Sequence, residues 1–237
     1  VTVLDGMKKY PNNKLIYKKG ADVILNKGGV VKFAEKIMIN ENDKSGFNAA
    51  RIAARTADVV VMVLGEDGFQ SGEGRSRAQI DIPGVQQELL EEIFKINKNI
   101  VLVLMNGRPL NINWADKNIP AIVEAWQLGS QTGNAIAQVL YGDYNPSGKL
   151  PMSFPRSVGQ IPIYYNHKNT GRPGPKNIVF WSHYNDELNS PLYPFGYGLS
   201  YTTFNYSNLK MDSKVLNFKS SINISVDIQN TGNFKGK

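Results

Sequence analysis

Residues 57–77 read "ADVVVMVLGEDGFQSGEGRSR". The first nine form an apolar, β-branched run, the pattern of a strand covered on both faces. The rest form a loop with four glycines (counting Gly65), two glutamates, an aspartate and two arginines. A plain connector needs none of this chemistry. The strand sets the fold class, and the loop raises the functional question.

Outward from this strand the chain alternates. Upstream, "GFNAARIAARTA" (46–57) has helical spacing, with Ala and Ile on one side and Arg on the other. Downstream, "GVQQELLEEIFKIN" (84–97) is amphipathic, with Val85, Leu89, Leu90, Ile93 and Phe94 sharing a face. "NIVLVLMNG" (99–107) and "PAIVEAW" (120–126) are two more buried strands, and "SQTGNAIAQVLYGD" (130–143) is a helix ending near Gly142. A β-α-β-α-β-α order predicts a three-layer α/β sandwich with a mostly parallel sheet, assigned to residues 1–160. "KLIYKKG" (14–20) reads as a short strand. "LNKGGVVKFAEKIMINENDKSG" (25–46) has no clear period and reads as loop with one short helix.

After Asp143 the character changes. The Pro-, Gly- and aromatic-rich stretch from 145 onward predicts a segment that wraps over the domain surface, assigned to 161–202. Beyond it "FNYSNLKM" (204–211) and "SINISVDIQNTG" (221–232) read as the first strands of a truncated β-sandwich over 203–237, the second alternating Ile222, Ile224, Val226 and Ile228 before a turn. Two strands alone make a marginal domain. The opening "VTVLDGMKKYP" reads as the end of a helix already under way, so the expectation is a fragment of a longer chain.

Composition removes several functions. The 237 residues are 41% hydrophobic, enough for a substantial core. Without cysteine there is no disulfide, thiolate catalysis or Cys metal site, and with only His167 and His183 a His-rich site is not expected. No apolar run approaches the roughly 20 residues of a membrane helix. The net charge is +7, but the basic residues are scattered with no aromatic-interleaved stripe, so neither nucleic acid nor membrane is expected as a partner.

In an open α/β sheet, ligands bind beyond the carboxyl ends of the strands, and the 65–77 loop is expected there, at the carboxyl end of a central strand. Glycine amides could cradle phosphate, but the spacing matches neither nucleotide fingerprint, and Glu66, Asp67 and Glu73 would repel it. The same carboxylates could hold a hard metal, but they do not match a calcium loop, and Arg75 and Arg77 lie close by. General acid chemistry is the third reading: Glu73, between two glycines, could be delivered to a neighbouring surface, and a retaining glycosidase needs such a proton donor. The plain alternative is a surface pair between Glu73 and Arg75 or Arg77. Trp126, Arg108, His183, Tyr184, Asp81, Asp186 and Glu187 are read as mainly structural or surface residues.

Four stretches in order, residues 65–90, 101–110, 121–173 and 191–204, closely resemble the C-terminal half of family 3 glycoside hydrolases of the bacterial β-glucosidase type. The resemblance implies an α/β sandwich domain whose loop carries the acid/base glutamate, here Glu73, facing a barrel domain that carries an aspartate nucleophile. It also implies that 203–237 open a fibronectin type III-like domain. Phe69, Gln70, Ser71 and Arg75, which flank Glu73, become candidate substrate contacts. No cofactor is implied. The implied partners are a β-glucoside or oligosaccharide and the barrel, with a homodimer also allowed, and the implied location is periplasmic or secreted. No Ser-Asp-Trp-like stretch for the nucleophile occurs in these residues, so the isolated chain is expected to be inactive. A non-catalytic carbohydrate-binding or structural accessory domain is the alternative.

Overall fold

A computed structural model describes residues 1–26, 36–169, 171–174 and 180–237. Much of the 25–46 segment, including any helix centred on 27–35, lies outside the described residues. Two compact units emerge. One comprises Val1–Ala137 and Leu150–Gly196, the other Gln138–Lys149 and Tyr197–Lys237.

The first unit is built on a parallel sheet of β1 (Val60–Gly65), β2 (Ile100–Met105) and β3 (Ala121–Glu124), in the order β1-β2-β3. Val60 pairs with Ile100 and Val101 with Ala121, so the carboxyl ends of all three strands lie along one edge. β2 is central: Ile100, Leu102, Val103 and Leu104 are all fully buried, as its unbroken apolar sequence predicts. β1 corrects the reading of a central, doubly covered strand. Among the described residues it is an edge strand; Met62 and Leu64 are buried while Val63 is 41% exposed. A run of valines fits an edge as well as a centre, because composition alone does not specify how many neighbours a strand has.

The helices are α1 (Val3–Met7), α2 (Phe47–Arg55), α3 (Gln86–Ile96), α4 (Asn113–Asn118) and α5 (Thr132–Leu140). α3 packs on β1 and α2 packs on α3. Leu89, Leu90 and Ile93 of α3 and the preceding Val85 are buried, while Phe94 meets Trp114 edge to face at 5.4 Å. α2 buries Phe47 and Ala54 but leaves Ile52 exposed, against the expectation of Ala and Ile on one inward side. At 3.6 residues per turn, positions 47, 50, 51 and 54 share a face, and 52 falls outside it. Arg51 instead lies toward α3, pairing with Glu92 at 3.1 Å.

Two further expectations change. Residues 14–20 form no strand; the isolated bridge nearby is Ile24 with Ile39. α1 begins within the described chain, with Thr2 as N-cap in a reciprocal capping box with Asp5, rather than continuing from upstream.

Residues 150–196 belong to the first unit, and Phe154 roots this stretch in the core. Phe154 is almost wholly buried, bridges Tyr193, and packs near Trp126 at a ring-centroid distance of 5.8 Å. The second unit contains the antiparallel pair β4 (Phe204–Met211) and β5 (Ile224–Asn230), with a register shift between Ser207 and Lys210 where Asn208 takes φ 54°. Ile224, Val226 and Ile228 are exposed on this pair.

Candidate functional site

The 65–77 loop starts at the carboxyl edge of the sheet with an unusual handover. Gly65 has φ 142°, and a side chain there would meet the Met105 carbonyl. Its N–H donates to Gln86 Oε1 at 3.0 Å, and Gln86 Nε2 donates back to its carbonyl at 2.8 Å. The buried amide at the start of α3 thus replaces the strand partner that Gly65 lacks on its open side.

The next residue, Glu66, organises the loop's charges. Its side chain is 0% exposed. It lies 2.7 Å from Arg77 Nη1 and 3.0 Å from Arg108 Nε, and it accepts the Gly107 N–H at 3.0 Å. Arg77 Nη2 also donates to the Asp81 carbonyl at 2.9 Å, so it ties the returning limb to the departing one. Arg108, from the turn after β2, donates to the Gln70 carbonyl and, at 2.8 Å, to the Arg75 carbonyl. Arg108 therefore does clamp a carboxylate, an internal one, as well as shaping its turn. Sequence reading weighed Glu66 only as one of three alike carboxylates. Its position directly at the strand end is the signal that marks it for burial.

Between these feet, Asp67 caps a short 3-10 turn, Gly68–Gln70, accepting the Phe69 N–H at 2.9 Å. Gln70 is buried, with Oε1 accepting the Asp67 N–H at 2.9 Å. Its carboxamide oxygen is thus engaged in the loop's own fold. Phe69 is exposed at the rim, and Ser71 rests against the bare Cα of Gly107. Arg75 contributes its carbonyl to Arg108.

Glu73 stands at the tip. Gly72 and Gly74 on either side take φ 129° and 67°, and a Cβ at either would meet nothing among the described residues. Glu73 is exposed, and among the described residues no side chain pairs with its carboxylate. Of the two arginines that could pair with Glu73 on the surface, Arg77 is committed to Glu66. A cleft of about 330 Å³ lies beside the tip, lined by Ser71, Gly72, Asn106, Gly107, Trp126 and Gln127.

Beneath that cleft lies a residue that sequence reading missed. Glu124, the last residue of β3, accepts the Trp126 N–H at 3.0 Å and a weaker contact from Asn106 Nδ2 at 3.4 Å. Burial pushes its carboxyl up to about 7, against the lowering effect of those two bonds. An acidic residue inside the apolar run "AIVEAW" was the available signal. Trp126 has φ 48°, and its ring contributes to both core and cleft.

The remaining candidates sit elsewhere. His183 stacks on Trp181 at 4.3 Å, Tyr184 Oη donates to the Gly159 carbonyl, and Asp81 accepts from Asn111 at 2.8 Å. Glu187 lies 3.9 Å from Arg156, and Asp186 is exposed. Among the described residues no group of three or more His, Cys, Asp or Glu side chains is placed to hold a metal ion.

This arrangement, a buried ionic base holding a glycine-hinged carboxylate off the sheet edge, coincides with a family match. Residues 1–201 match the glycosyl hydrolase family 3 C-terminal domain. The chain belongs to glycosyl hydrolase family 3. Along its whole length it is 47% identical to a periplasmic beta-glucosidase of Salmonella typhimurium and 42% identical to a beta-xylosidase of Formosa agariphila, covering 32% and 30% of those proteins. Among solved structures, the beta-glucosidase from Listeria innocua in complex with gluconolactone is 41% identical, with a TM-score of 0.76 over 81% of this chain and 27% of that one. A β-glucosidase from Erythrobacter marinus superposes over 98% of this chain and 32% of its own, with a TM-score of 0.85 at 32% identity. The family 3 chain described here thus spans about a third of the length of these curated relatives. No helix among its described residues is long and apolar enough to cross a membrane.

Proposed function

We propose that this family 3 chain supplies the general acid/base of a retaining β-glucosidase, with Glu73 as the proton-transfer residue. The observation that carries the reading is the contrast between the loop's two glutamates. Glu66 is buried and doubly paired, whereas Glu73 is exposed between two glycines of positive φ, with no partner among the described residues. A carboxyl group held out in this way can meet a substrate bound by another domain.

In the first step Glu73 protonates the departing glycosidic oxygen while an aspartate of a separate barrel domain attacks the anomeric carbon. In the second, Glu73 takes a proton from water as the water displaces the aspartate. The substrate would be a terminal, non-reducing β-D-glucosyl residue, with Phe69, Ser71 and Arg75 at the rim as candidate contacts. Gln70 would contribute from its buried position. Residues 203–237 would open a fibronectin type III-like domain, and the whole protein would act in the periplasm or outside the cell. The likeness to a beta-xylosidase makes the xyloside the competing substrate.

The test is Glu73→Gln in the full-length glycosidase. Cleavage of substrates with poor leaving groups should fall by ~10²–10⁴-fold, and activated aryl glycosides should suffer less because they need no proton. Near wild-type rates on both would sink the assignment. Parallel rates on aryl glucosides and aryl xylosides decide the sugar. Micromolar glucose binding by this chain alone, with Glu73→Gln harmless to catalysis, would favour the accessory-module alternative.

A further inference from the structure

Two carboxylates flank the turn at 106–108, on which the Glu73 loop rests. Glu66 reaches it from β1, matched by two guanidinium groups and the Gly107 N–H. Glu124 reaches it from β3 and meets only amides. Asn106, between them, is fully buried. Its Nδ2 donates to the Arg108 carbonyl at 2.8 Å and approaches Glu124 Oε2 at 3.4 Å, while its Oδ1 has no partner among the described residues. A buried acceptor left unsatisfied has lost its hydration with nothing in return and calls for an explanation.

We propose that Glu124 is a positioning residue for the Glu73 loop, its carboxyl group setting, through Asn106, the conformation of the turn that carries Gly107 and Arg108. The chemistry of the amide gives the coupling. A charged Glu124 only accepts, and it is served by Nδ2. A neutral Glu124 carries a hydroxyl proton that is badly placed against an N–H and needs an acceptor, and the nearest side chain offers one in the idle Oδ1. Turning the amide to present Oδ1 withdraws Nδ2 from the Arg108 carbonyl. That bond holds the turn whose next residue supports Ser71 and whose Arg108 side chain holds the carbonyls of Gln70 and Arg75. The protonation of Glu124 therefore passes to both limbs of the loop.

Among the described residues, the charged groups bonded to this turn or to the loop that rests on it include Glu66, Arg75, Arg77 and Arg108. Glu66, Arg77 and Arg108 are tied to one another, and Arg75 offers its carbonyl to Arg108. The paired strand β2 (100–105) and the segments on either side of Glu124, residues 121–123 and 125–131, carry no charge. Burial pushes the Glu124 carboxyl up to about 7. The catalytic meaning of this device rests on the reading of Glu73 above, but its existence does not.

The test is an NMR titration of this chain from about pH 3 to pH 9, a range that brackets both 4.5 and 7. The side-chain carboxyl carbon of Glu124 should titrate with a midpoint near 7. The amide signals of Trp126, Gly107, Ser71 and Gly72 should follow with the same midpoint. Glu124→Gln should abolish the shared transition, and Glu73→Gln should leave it in place. A Glu124 midpoint near 4.5, or loop signals that ignore Glu124 or still titrate in Glu124→Gln, overturns the proposal. The wild-type carbon signal decides the first point even if the variant does not fold. Failure of Glu73 as acid/base would appear in turnover alone and leave this titration intact.

Discussion

The Glu66 carboxylate, wholly buried, lies 2.7 Å from Arg77 Nη1, and this pair joins the first and last parts of the loop. Two glutamates seven residues apart thereby acquire opposite environments. One neutralises the arginines inside; the other is left outside, where a second surface can meet it. The ionic cluster acts as a foot, and the glycines at 72 and 74 let the tip project from it.

The cluster should be costly to break. Glu66→Ala leaves Arg77 and Arg108, each about a fifth exposed, facing each other without their shared counter-charge. Removing one partner of a buried pair costs ~3–5 kcal/mol. Urea denaturation of the variant should show a loss of that size, and hydrogen exchange should accelerate in residues 66–77 before the sheet opens. A change below about 0.5 kcal/mol, the range of ordinary surface substitutions, would mean that the cluster is solvated.

Gln86 carries a separate load. Its amide satisfies both backbone groups of Gly65 and also donates to the Pro83 carbonyl at 2.8 Å. Gln86→Ala removes all three bonds at a buried site, at about 1–3 kcal/mol for each polar group left without a partner. The expected result is a clear fall in the denaturation midpoint, with the m-value unchanged because the same surface is exposed on unfolding. Gln86→Glu should be almost as damaging, since a carboxylate cannot donate to the two carbonyls.

Phe154 tests whether part of the proline-rich stretch is core. It is 1% exposed, and its ring packs between Trp126 and Tyr193. Phe154→Ala should therefore cost ~3–5 kcal/mol. A residue in a wrapping surface segment would cost far less, and a loss under about 1 kcal/mol would return this stretch to the surface.

Legibility followed periodicity. β2 and α3 could be read because a continuous apolar run and a 3.6-residue stripe each have one stable burial. Helix 47–55 was found, yet Ile52 was misplaced, because Ala is too small to fix which side of a helix faces inward. The strand at 60–65 was found, but not its place at the edge, since neighbours are a tertiary fact. At the site, the exposure of Glu73 was legible through the glycines on either side of it. Glu66 and Glu124 were not ranked, because a carboxylate's role depends on what burial brings beside it. Arg108 and Gln86 lie 42 and 21 residues along the chain from their partners Glu66 and Gly65, so no local pattern announces them.

The pH dependence of stability has a definite sign at Glu124. Its folded-state value is about 7 against an unfolded value of 4.5, so between those limits the native state binds more protons than the unfolded chain. Stability from this group is therefore complete below about pH 4.5 and declines as pH rises through 7, by up to about 3 kcal/mol if the full shift is expressed. Other carboxylates that are paired in the fold push the opposite way, so the raw curve mixes the two. The difference between wild type and Glu124→Gln isolates the contribution, because the variant keeps the shape and cannot ionise. Relative to the variant, the wild type should lose stability from pH 5 to pH 8, with the steepest change at about pH 6, between the two values, and a plateau above pH 7. A flat difference across that range would show that Glu124 titrates as an ordinary solvated carboxylate.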